Sequence, residues 1–330
     1  MRGGNKVSEP ILKVEHLNVV FHTKYGEASA VNDVSFSLKK GEKLGLVGES
    51  GSGKSVTSKS IIRLLSSPPA QISGKIMFEG INLLELPEGK MSSYRGNRIS
   101  MIFQEPMVSL NPLYTIENQM MEILSRHEKI GKKEARERVL QMLKTVEIPS
   151  PEARLKQYPF EMSGGMRQRI MIAMSLLCHP QILIADEPTT ALDVTIQAQI
   201  LDLLNHLNQT FGTSIIMITH DLGVIAEMAD NVAVMYAGSI VEKAPVKELF
   251  ESPKHPYTEG LLGSIPTMED SGKPLETIEG NVPSIYALPE GCAFRNRCRY
   301  ARPCCGKKKP EEITLGNRTV ACLKYTNEWG

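Results

Sequence analysis

The strongest structural signal in the chain is Gly48-Glu49-Ser50-Gly51-Ser52-Gly53-Lys54-Ser55, which has the spacing of a phosphate-binding loop. It follows the apolar run KLGLV at 43–47 and precedes a segment, 55–65, with apolar residues at helical spacing, so the order is strand, loop, helix. Its glycines let the backbone fold tightly, so that N–H groups and the positive end of the helix dipole point at phosphate oxygens. Lys54 is expected to reach the β- and γ-phosphates, and the Ser55 hydroxyl to ligate Mg²⁺. The motif predicts a nucleoside triphosphate site.

Length and composition place modest bounds on the protein. Its 330 residues predict roughly two domains, and 41% hydrophobic residues are enough for a substantial core. The 38 basic and 37 acidic residues give a formal net charge of +1, which provides no general attraction for nucleic acid. No apolar run approaches the roughly 20 residues of a membrane-spanning helix, and the N-terminus lacks the apolar core of a signal peptide. We therefore expect a cytoplasmic protein, which does not exclude docking onto a membrane protein.

Several segments predict the elements around the loop. Residues 11–21 and 30–38 alternate apolar and polar side chains, as strands of an antiparallel sheet do. Tyr25 lies between them and is expected either to stack on an adenine ring or to be a plain surface residue. The apolar segment 99–103 predicts a buried strand. Residues 117–146 are rich in Met, Leu, Glu, Lys and Arg and predict an inserted helical subdomain with a solvated charged face.

Polar side chains follow three predicted strands, at the end where ligands bind in open α/β sheets. Asp186 and Glu187 end the apolar run at 182–185, so Asp186 is placed to hold Mg²⁺ through water and Glu187 to deprotonate an attacking water. Gln104 follows the strand at 99–103, and its amide can face Mg²⁺ or a water. His220 follows another apolar strand and is either structural or in contact with a γ-phosphate.

The run Ser163-Gly164-Gly165 precedes an apolar helix predicted at 170–178. A serine and two glycines at a helix start offer backbone donors and a positive dipole end. Taken alone, the run predicts either a second phosphate contact or only a helix cap.

Together these motifs resemble the ATP-binding subunit of an ABC transporter, over about residues 8–330. The resemblance identifies Walker A at Gly48–Ser55, a Q-loop at Gln104, a signature motif at Ser163–Met166, Walker B at Asp186–Glu187, a D-loop at Ala191–Asp193 and a switch histidine at His220. It implies an α/β fold: a P-loop NTPase ABC ATPase core with an antiparallel β-subdomain, an inserted helical subdomain at about 105–165 and a small cysteine-rich C-terminal extension. The expected domains are a nucleotide-binding domain at 1–252 and the extension at 253–330.

In such proteins two domains meet head to tail and enclose two ATP molecules. The resemblance implies Glu187 as the catalytic base, with His220 and Gln104 sensing the γ-phosphate, and Ser55 and Gln104 as Mg²⁺ ligands. The residues implied to contact nucleotide are Tyr25, Gly48, Ser50, Gly51, Ser52, Gly53, Lys54, Ser55, Val56 and Asp186, with Ser163, Gly165 and Asp193 acting across the pair. The usual Leu and Gln of the signature motif are Met162 and Met166 here, and Met cannot make the hydrogen bonds of Gln.

The tail narrows the resemblance to oligopeptide and dipeptide importers, through His255-Pro256-Tyr257-Thr258, Gly291-Cys292-Ala293-Phe294 and Arg297-Cys298. That family implies a second ATPase subunit (the same or a homologous chain), two integral membrane permease subunits and, indirectly, an extracytoplasmic peptide-binding protein. It places the chain at the cytoplasmic face of the plasma (inner) membrane, as a peripheral protein. The ATPase of a nickel-type importer, and a soluble ABC ATPase outside transport, remain alternatives.

Five of the six cysteines lie near the C-terminus, and the family associates such tail cysteines with an iron–sulfur cluster. The expected [4Fe–4S] ligands are Cys292, Cys298, Cys305 and Cys322, with Cys305 preferred to Cys304 because it aligns with the family. Their spacing contains neither the C-x2-4-C pairs usual for zinc nor the common ferredoxin spacing, so zinc, free thiols and a disulfide remain open. Cys178 lies in an apolar helix and is expected in the core.

Overall fold

The computed structural model describes residues 9–104, 110–190, 192–265 and 277–329. The chain divides into two compact units. The first consists of Met1–Lys39, Lys43–Leu84 and Thr219–Gly330, and the second of Lys40–Glu42 and Glu85–Ile218. The phosphate loop and the C-terminal tail therefore belong to one unit, and the predicted Walker B carboxylates belong to the other.

Strands and helices follow one another along the described residues. The strands are β1 (Leu12–Thr23), β2 (Gly26–Leu38), β3 (Lys43–Val47), β4 (Ala70–Phe78), β5 (Ile81–Asn82), β6 (Ile99–Ile102), β7 (Ile182–Asp186), β8 (Ser214–Thr219), β9 (Asn231–Tyr236), β10 (Ser239–Pro245), β11 (Ile313–Leu315) and β12 (Arg318–Val320). The α-helices are α1 (Lys54–Ile61), α2 (Glu88–Tyr94), α3 (Ile116–His127), α4 (Lys132–Thr145), α5 (Pro151–Arg154), α6 (Gly164–Leu176), α7 (Val194–Phe211), α8 (Leu222–Met228), α9 (Val246–Glu251) and α10 (Pro256–Gly263).

An antiparallel sheet with strand order β2-β1-β4-β5 forms one side of the first unit. β1 lies in its middle, with Leu12 opposite Leu38 of β2 and opposite Phe78 of β4. In β1, Leu12, Val14, Leu17 and Val19 are buried, and the residues between them are exposed or half-buried, which is the pattern of a sheet covered on one face. The antiparallel β-subdomain predicted from alternating side chains is confirmed.

The phosphate loop lies at the end of a second group of strands in this unit. β3 pairs in parallel with β9, and β9, β10, β12 and β11 follow one another as antiparallel neighbours. Glu242 of β10 lies opposite Val320 of β12, so the C-terminal tail adds two strands to the sheet that carries the loop. β11 and β12 were not predictable from the sequence, because three residues are too few to show a strand's alternating pattern.

The second unit has a parallel, fully buried group of strands. β7 pairs in parallel with β6 and β8, and the side chains of all three strands are buried, because helices cover both faces of such sheets. Helices α3 and α4 follow β6 in sequence and occupy most of the segment predicted as helical at 117–146. Each buries one mostly apolar stripe. Within the described ranges, no helix has the length and apolar character needed to cross a bilayer.

One predicted helix is shorter than expected. The apolar spacing at 55–65 predicted helix throughout, but α1 ends at Ile61. Arg63 adopts a left-handed backbone conformation, with φ of 51°, which cannot continue a right-handed helix. Its guanidinium donates a hydrogen bond to the Leu83 carbonyl at 3.3 Å, a tertiary contact that residue spacing does not reveal.

Candidate functional site

The phosphate loop has the predicted strand–loop–helix geometry, because β3 ends at Val47 and α1 begins at Lys54. Gly53 precedes the helix with φ of 99°, and a Cβ there would lie 2.7 Å from the Ala30 carbonyl oxygen. A Cβ at Gly48 would lie 2.2 Å from the Met235 carbonyl oxygen. Both positions therefore require glycine, and the resulting loop leads its backbone into a helix N-terminus, which favours anions.

Lys54 extends its side chain inside this loop. The residue is only 6% exposed, and its Nζ lies 2.6 Å from the Gly48 carbonyl, 2.9 Å from the Glu49 carbonyl and 3.2 Å from the Ser52 hydroxyl. An ammonium has three donors and strongly favours an anionic partner when water is excluded from it. The arrangement fits a phosphate group at the loop.

The turn between β9 and β10 is hydrogen-bonded to the phosphate loop. The Gly238 N–H donates to the Ser52 carbonyl at 3.0 Å, and the Gly238 carbonyl accepts from the Asn32 N–H at 2.8 Å. Sequence reasoning missed this support, because Gly238 lies far along the chain and in no motif. Of the remaining predicted contact residues, Ser50 and Gly51 are exposed and Ser55 and Val56 are half-buried, as residues that meet a ligand should be.

Tyr25 and His220 are both exposed in the first unit. Tyr25 lies in the turn between β1 and β2, is 75% exposed and donates its N–H to the Thr23 hydroxyl at 3.2 Å. His220 directly follows β8 and precedes Asp221, whose carboxylate caps α8. Each ring is therefore accessible to a ligand from solvent.

In the second unit, a hydrogen-bonded cluster forms around Glu187. Its Oε2 accepts hydrogen bonds from Gln104 Nε2 and from the Thr190 hydroxyl, both at 2.9 Å. The structure thus brings together two residues that the sequence predicted separately, and it adds Thr190, which no motif had identified. Asp186 ends β7 and is only 2% exposed. A carboxylate oriented by two donors is suited to act as a general base.

Backbone geometry also fixes Glu187. Its φ is 48°, a left-handed conformation uncommon for residues other than glycine, and its N–H donates to the Ile218 carbonyl at 2.8 Å. Such backbone conformations persist only where surrounding contacts hold them, and they cluster at functional sites. The carboxylate direction is therefore set by the main chain as well as by side chains.

Two predicted residues at the start of helices act as helix caps in this chain. Ser163 caps α6 by accepting a hydrogen bond from the Met166 N–H at 3.3 Å. Asp193 caps α7 by accepting from the Ile196 N–H at 2.9 Å. A Cβ at Gly165 would lie 3.3 Å from the Ile196 side chain, so little room exists for a larger residue. Of the D-loop, Ala191 lies outside the described residues.

The four cysteines predicted as cluster ligands, Cys292, Cys298, Cys305 and Cys322, line one small cavity in the first unit. His255 also lines this cavity, but burial lowers the pKa of His255 to about 3, so the ring is neutral. Burial raises the pKa of the Cys292 and Cys322 thiols to about 11, and it also raises the pKa of Cys298. Among the residues described, no group of three or more His, Cys, Asp or Glu is arranged to hold a metal ion, so the [4Fe–4S] prediction is not supported.

Cys178, by contrast, lies just past the end of α6 and is buried, and this burial raises the pKa of its thiol to about 11. A neutral buried thiol behaves as a small apolar side chain. The expectation that Cys178 lies in the core is confirmed.

Comparisons with known proteins agree with this geometry. A family model described as "ABC transporter" matches residues 31–190, and one described as "Oligopeptide/dipeptide transporter, C-terminal region" matches residues 241–305. The chain is 49% identical to the oligopeptide transport ATP-binding protein OppD of Salmonella typhimurium, over 96% of this chain and 95% of that protein. It is 51% identical to the dipeptide transport ATP-binding protein DppD of Bacillus subtilis, over 95% of this chain and 94% of that protein.

Solved structures of ATP-binding cassettes are similar as well. The dimeric, post-hydrolysis cassette MJ0796 bound to ADP and Pi aligns with a TM-score of 0.64 and 26% identity, over 71% of this chain and 98% of that chain. The protein cbiO1 of Clostridium perfringens, part of the ABC transporter complex cbiONQ, aligns with a TM-score of 0.63 and 29% identity, over 74% of this chain and 92% of that chain. The chain therefore belongs to the ABC transporter ATPases, within the oligopeptide and dipeptide transport family.

Proposed function

We propose that this chain binds MgATP at the phosphate loop, hydrolyses it with Glu187 as the base, and thereby powers uptake of di- and oligopeptides through membrane partners. Relatives named for oligopeptide and dipeptide transport match nearly the whole chain, which supports the peptide class. The observation that carries hydrolysis, as opposed to binding alone, is the Glu187 carboxylate held by Gln104 and Thr190.

We assign nucleotide binding to the phosphate loop and to a few side chains outside it. Tyr25, exposed in its turn, offers a ring face to adenine. Mg²⁺, when bound, neutralises charge on the β- and γ-phosphates, and its proposed ligands are the Ser55 hydroxyl and the Gln104 amide oxygen, with Asp186 acting through water. The phosphates are assigned to Gly48, Ser50, Gly51, Ser52, Gly53, Lys54, Ser55 and Val56.

In the hydrolytic step, Glu187 accepts a proton from water as the water oxygen bonds to the γ-phosphorus. The bond from that phosphorus to the β,γ-bridging oxygen breaks, so ADP leaves and inorganic phosphate forms. Gln104 and Thr190 both donate to Oε2, so two hydrogen bonds orient the carboxylate for this proton transfer. His220 is assigned to the γ-phosphate, because the imidazole is exposed and directly follows a strand end.

The Thr190→Val variant tests whether this orientation matters for hydrolysis. Loss of one hydrogen bond to the base is expected to lower the kcat of Mg²⁺-dependent ATP hydrolysis about five- to tenfold, with ATP affinity unchanged. Thr190→Ser keeps the hydroxyl and serves as the matched control, which is expected to retain most activity. Phosphate release measured at saturating ATP checks both variants. Equal loss in both, or no hydrolysis by the unmodified chain, would contradict the assignment.

Pairing with a second ATPase subunit is also part of the proposal. Ser163, Gly165 and Asp193 are assigned to the interface with that subunit, with Ser163 and Gly165 directed to the γ-phosphate bound by the other chain. The similar cassette MJ0796 is described as dimeric, which supports such pairing. The first turn of α6 offers backbone N–H groups to an anion, although Met166 already donates its own to Ser163.

An exposed apolar patch in the second unit supports docking onto membrane permease subunits. The patch consists of Leu113, Tyr114, Tyr158 and Phe160, and the rings of Tyr158 and Phe160 stack with centroids 5.6 Å apart. The two segments are joined because the Ile116 N–H donates to the Gln157 carbonyl at 3.0 Å. Contiguous exposed apolar side chains mark interaction surfaces. We place the chain peripherally at the cytoplasmic face of the plasma (inner) membrane, and its contact with the extracytoplasmic peptide-binding protein is indirect.

We further propose that Cys292, Cys298, Cys305 and Cys322 hold a [4Fe–4S] cluster. Support comes from the cavity that these four cysteines line together and that Cys304 does not line. The four thiolates would be the ligands of such a cluster, since [4Fe–4S] clusters are held by sets of four cysteines. Since the thiols are neutral, binding must release their protons.

Iron and acid-labile sulfide content after anaerobic purification tests the cluster. We expect about four of each per chain, lost in Cys305→Ser and retained in the matched control Cys304→Ser. The reason is that only Cys305 of this adjacent pair lines the cavity. Zinc, no metal, or equal iron in the two variants would contradict the assignment and leave the ATPase proposal unaffected.

A further inference from the structure

The C-terminal tail holds the phosphate loop through a bidentate ion pair. Arg297 Nη1 lies 2.6 Å from Glu49 Oε2, and Arg297 Nη2 lies 3.0 Å from Glu49 Oε1. The two residues are 248 positions apart, and the Arg297 side chain is only 5% exposed. Two parallel charge-assisted bonds between a guanidinium and a carboxylate fix both distance and direction, which a lysine cannot do.

The Arg297 guanidinium is itself anchored on its other sides. Its Nε donates to the Glu279 carbonyl at 2.9 Å, and Nη2 also donates to the Ile278 carbonyl at 3.2 Å. Its central carbon lies 5.8 Å from the centre of the Tyr236 ring, so that an aromatic face borders the cation. The guanidinium therefore has one defined position, set by the tail, from which it meets the loop.

Tyr257 makes a second contact from the tail to the same loop residue. Its hydroxyl oxygen accepts a hydrogen bond from the Glu49 N–H at 2.9 Å. The Tyr257 side chain is fully buried and packs against the rings of Tyr236 and Phe294, with centroids 4.7 Å and 5.4 Å away. Burial raises the pKa of Tyr257, so the hydroxyl stays neutral. The tail thus holds both the main chain and the side chain of Glu49.

Glu49 is a residue through which the loop keeps its shape. Its carbonyl accepts from Lys54 Nζ at 2.9 Å and from the Ser52 N–H at 3.2 Å. A shift of Glu49 would therefore move the ammonium expected to bind phosphate. The Glu49 carboxylate also places a negative charge in a loop that must accept a triphosphate, and Arg297 is the cation that balances it.

We propose that Arg297 and Tyr257 of the C-terminal extension are positioning residues for nucleotide binding: Tyr257 holds the main chain of Glu49, and Arg297 offsets the charge of its carboxylate. The proposal rests on the assignment of the phosphate loop as the ATP site. On this proposal the extension raises the affinity for ATP by contacting Glu49 of the loop.

The test measures the affinity of the full-length chain for MgATP in three variants of the ion pair and in two controls, Arg299→Gln and Lys54→Ala. Arg297→Gln leaves the Glu49 charge unbalanced and is expected to weaken ATP binding about tenfold, with kcat at saturating ATP little changed. Glu49→Gln, and the double variant Glu49→Gln/Arg297→Gln, lack that charge and are expected to bind within about threefold of the unmodified chain. Arg299→Gln is the matched control, since Arg299 is in the same segment but pairs with Glu259 at 3.9 Å, and it is expected to bind normally.

Recovery in the double variant is the decisive result, because an arginine that only stabilised the tail would not be rescued by a change in the loop. Thermal unfolding of each variant reports whether the tail remains folded. A double variant as weak as Arg297→Gln, or equal weakening in Arg299→Gln, would overturn the proposal. Normal binding by Arg297→Gln together with loss in Lys54→Ala would overturn it and leave the nucleotide site standing. Normal binding by Lys54→Ala would overturn both.

Discussion

The Glu187→Gln variant is expected to bind ATP and to stop hydrolysing it. Glutamine has the same shape, and its amide oxygen can still accept from both Gln104 and Thr190, so the geometry of the cluster is retained. What is lost is the basic carboxylate, and general-base catalysis contributes about 100- to 10,000-fold to rates. We expect kcat, measured by phosphate release, to decrease by a factor within that range. ATP affinity is expected to stay near that of the unmodified chain.

A second readout separates this base from a residue that merely shapes the site. Because Glu187→Gln retains nucleotide without consuming it, MgATP is expected to trap a nucleotide-bound pair of ATPase subunits, visible as a larger species in size-exclusion chromatography. Glu227→Gln, the same change on an exposed position of α8, is the matched control and should hydrolyse ATP normally. Unchanged turnover in Glu187→Gln would remove the catalytic assignment.

Lys54→Ala is expected to abolish useful ATP binding. The ammonium lies within the loop, where it donates to two carbonyls and to the Ser52 hydroxyl, and we expect it to contact the phosphates. Hydrogen bonds to charged groups contribute about 1.5–3 kcal/mol each, so loss of this contact should raise the ATP dissociation constant about a hundredfold. Equilibrium titration with a fluorescent ATP analogue measures the change.

The matched control is Lys59→Ala, which removes a lysine from the last turn of the same helix, away from the loop. It is expected to bind ATP normally, because its ammonium belongs to the far end of α1. Equal loss in both variants would indicate damage to the helix, and normal binding in Lys54→Ala would mean that the loop is not the nucleotide site.

Much of the fold was predictable, because the pattern of apolar residues along the sequence matches the burial of those residues in the structure. The strand at 43–47 and the loop that follows it are where the sequence analysis placed them, since a buried apolar strand and a glycine-rich motif are both local signals. The fold class is confirmed by the architecture and by the similar cassettes. The prediction of helix at 62–65 was wrong. Arg63 instead makes a tertiary hydrogen bond to the Leu83 carbonyl, which residue spacing does not reveal.

The candidate site was predictable only in part, because tertiary contacts between distant residues leave no local signal in the sequence. Gln104 and Glu187 were each identified from neighbouring strands, and the structure adds the hydrogen bond between them. Thr190 was missed because a threonine three residues after an acid is an ordinary turn residue. Glu49 and Arg297 are far apart in sequence, and neither residue alone predicts an ion pair. Domain boundaries and residue roles taken from the resemblance stay predictions.

The tail is the part where sequence reasoning reached least far. Phe294 of the tail lies among the rings of Tyr236, Tyr257 and His255, with centroids 5.1 to 5.8 Å away, and no motif in the sequence indicates this packing. Arg297 directly precedes Cys298, so the residue that meets the loop adjoins a residue of the cysteine cavity. Aromatic packing and an ion pair therefore join the extension to the phosphate loop.

The central claim is that hydrolysis at Glu187 powers peptide uptake, and uptake of a radiolabelled tripeptide by cells lacking this chain tests it most directly. We expect cells supplied with the unmodified chain to recover uptake, and cells supplied with an equal amount of Glu187→Gln not to recover it. Recovery with Glu187→Gln would contradict the account. Unaltered tripeptide uptake without the chain, together with lost uptake of labelled nickel, would contradict the peptide assignment and favour the nickel-type alternative.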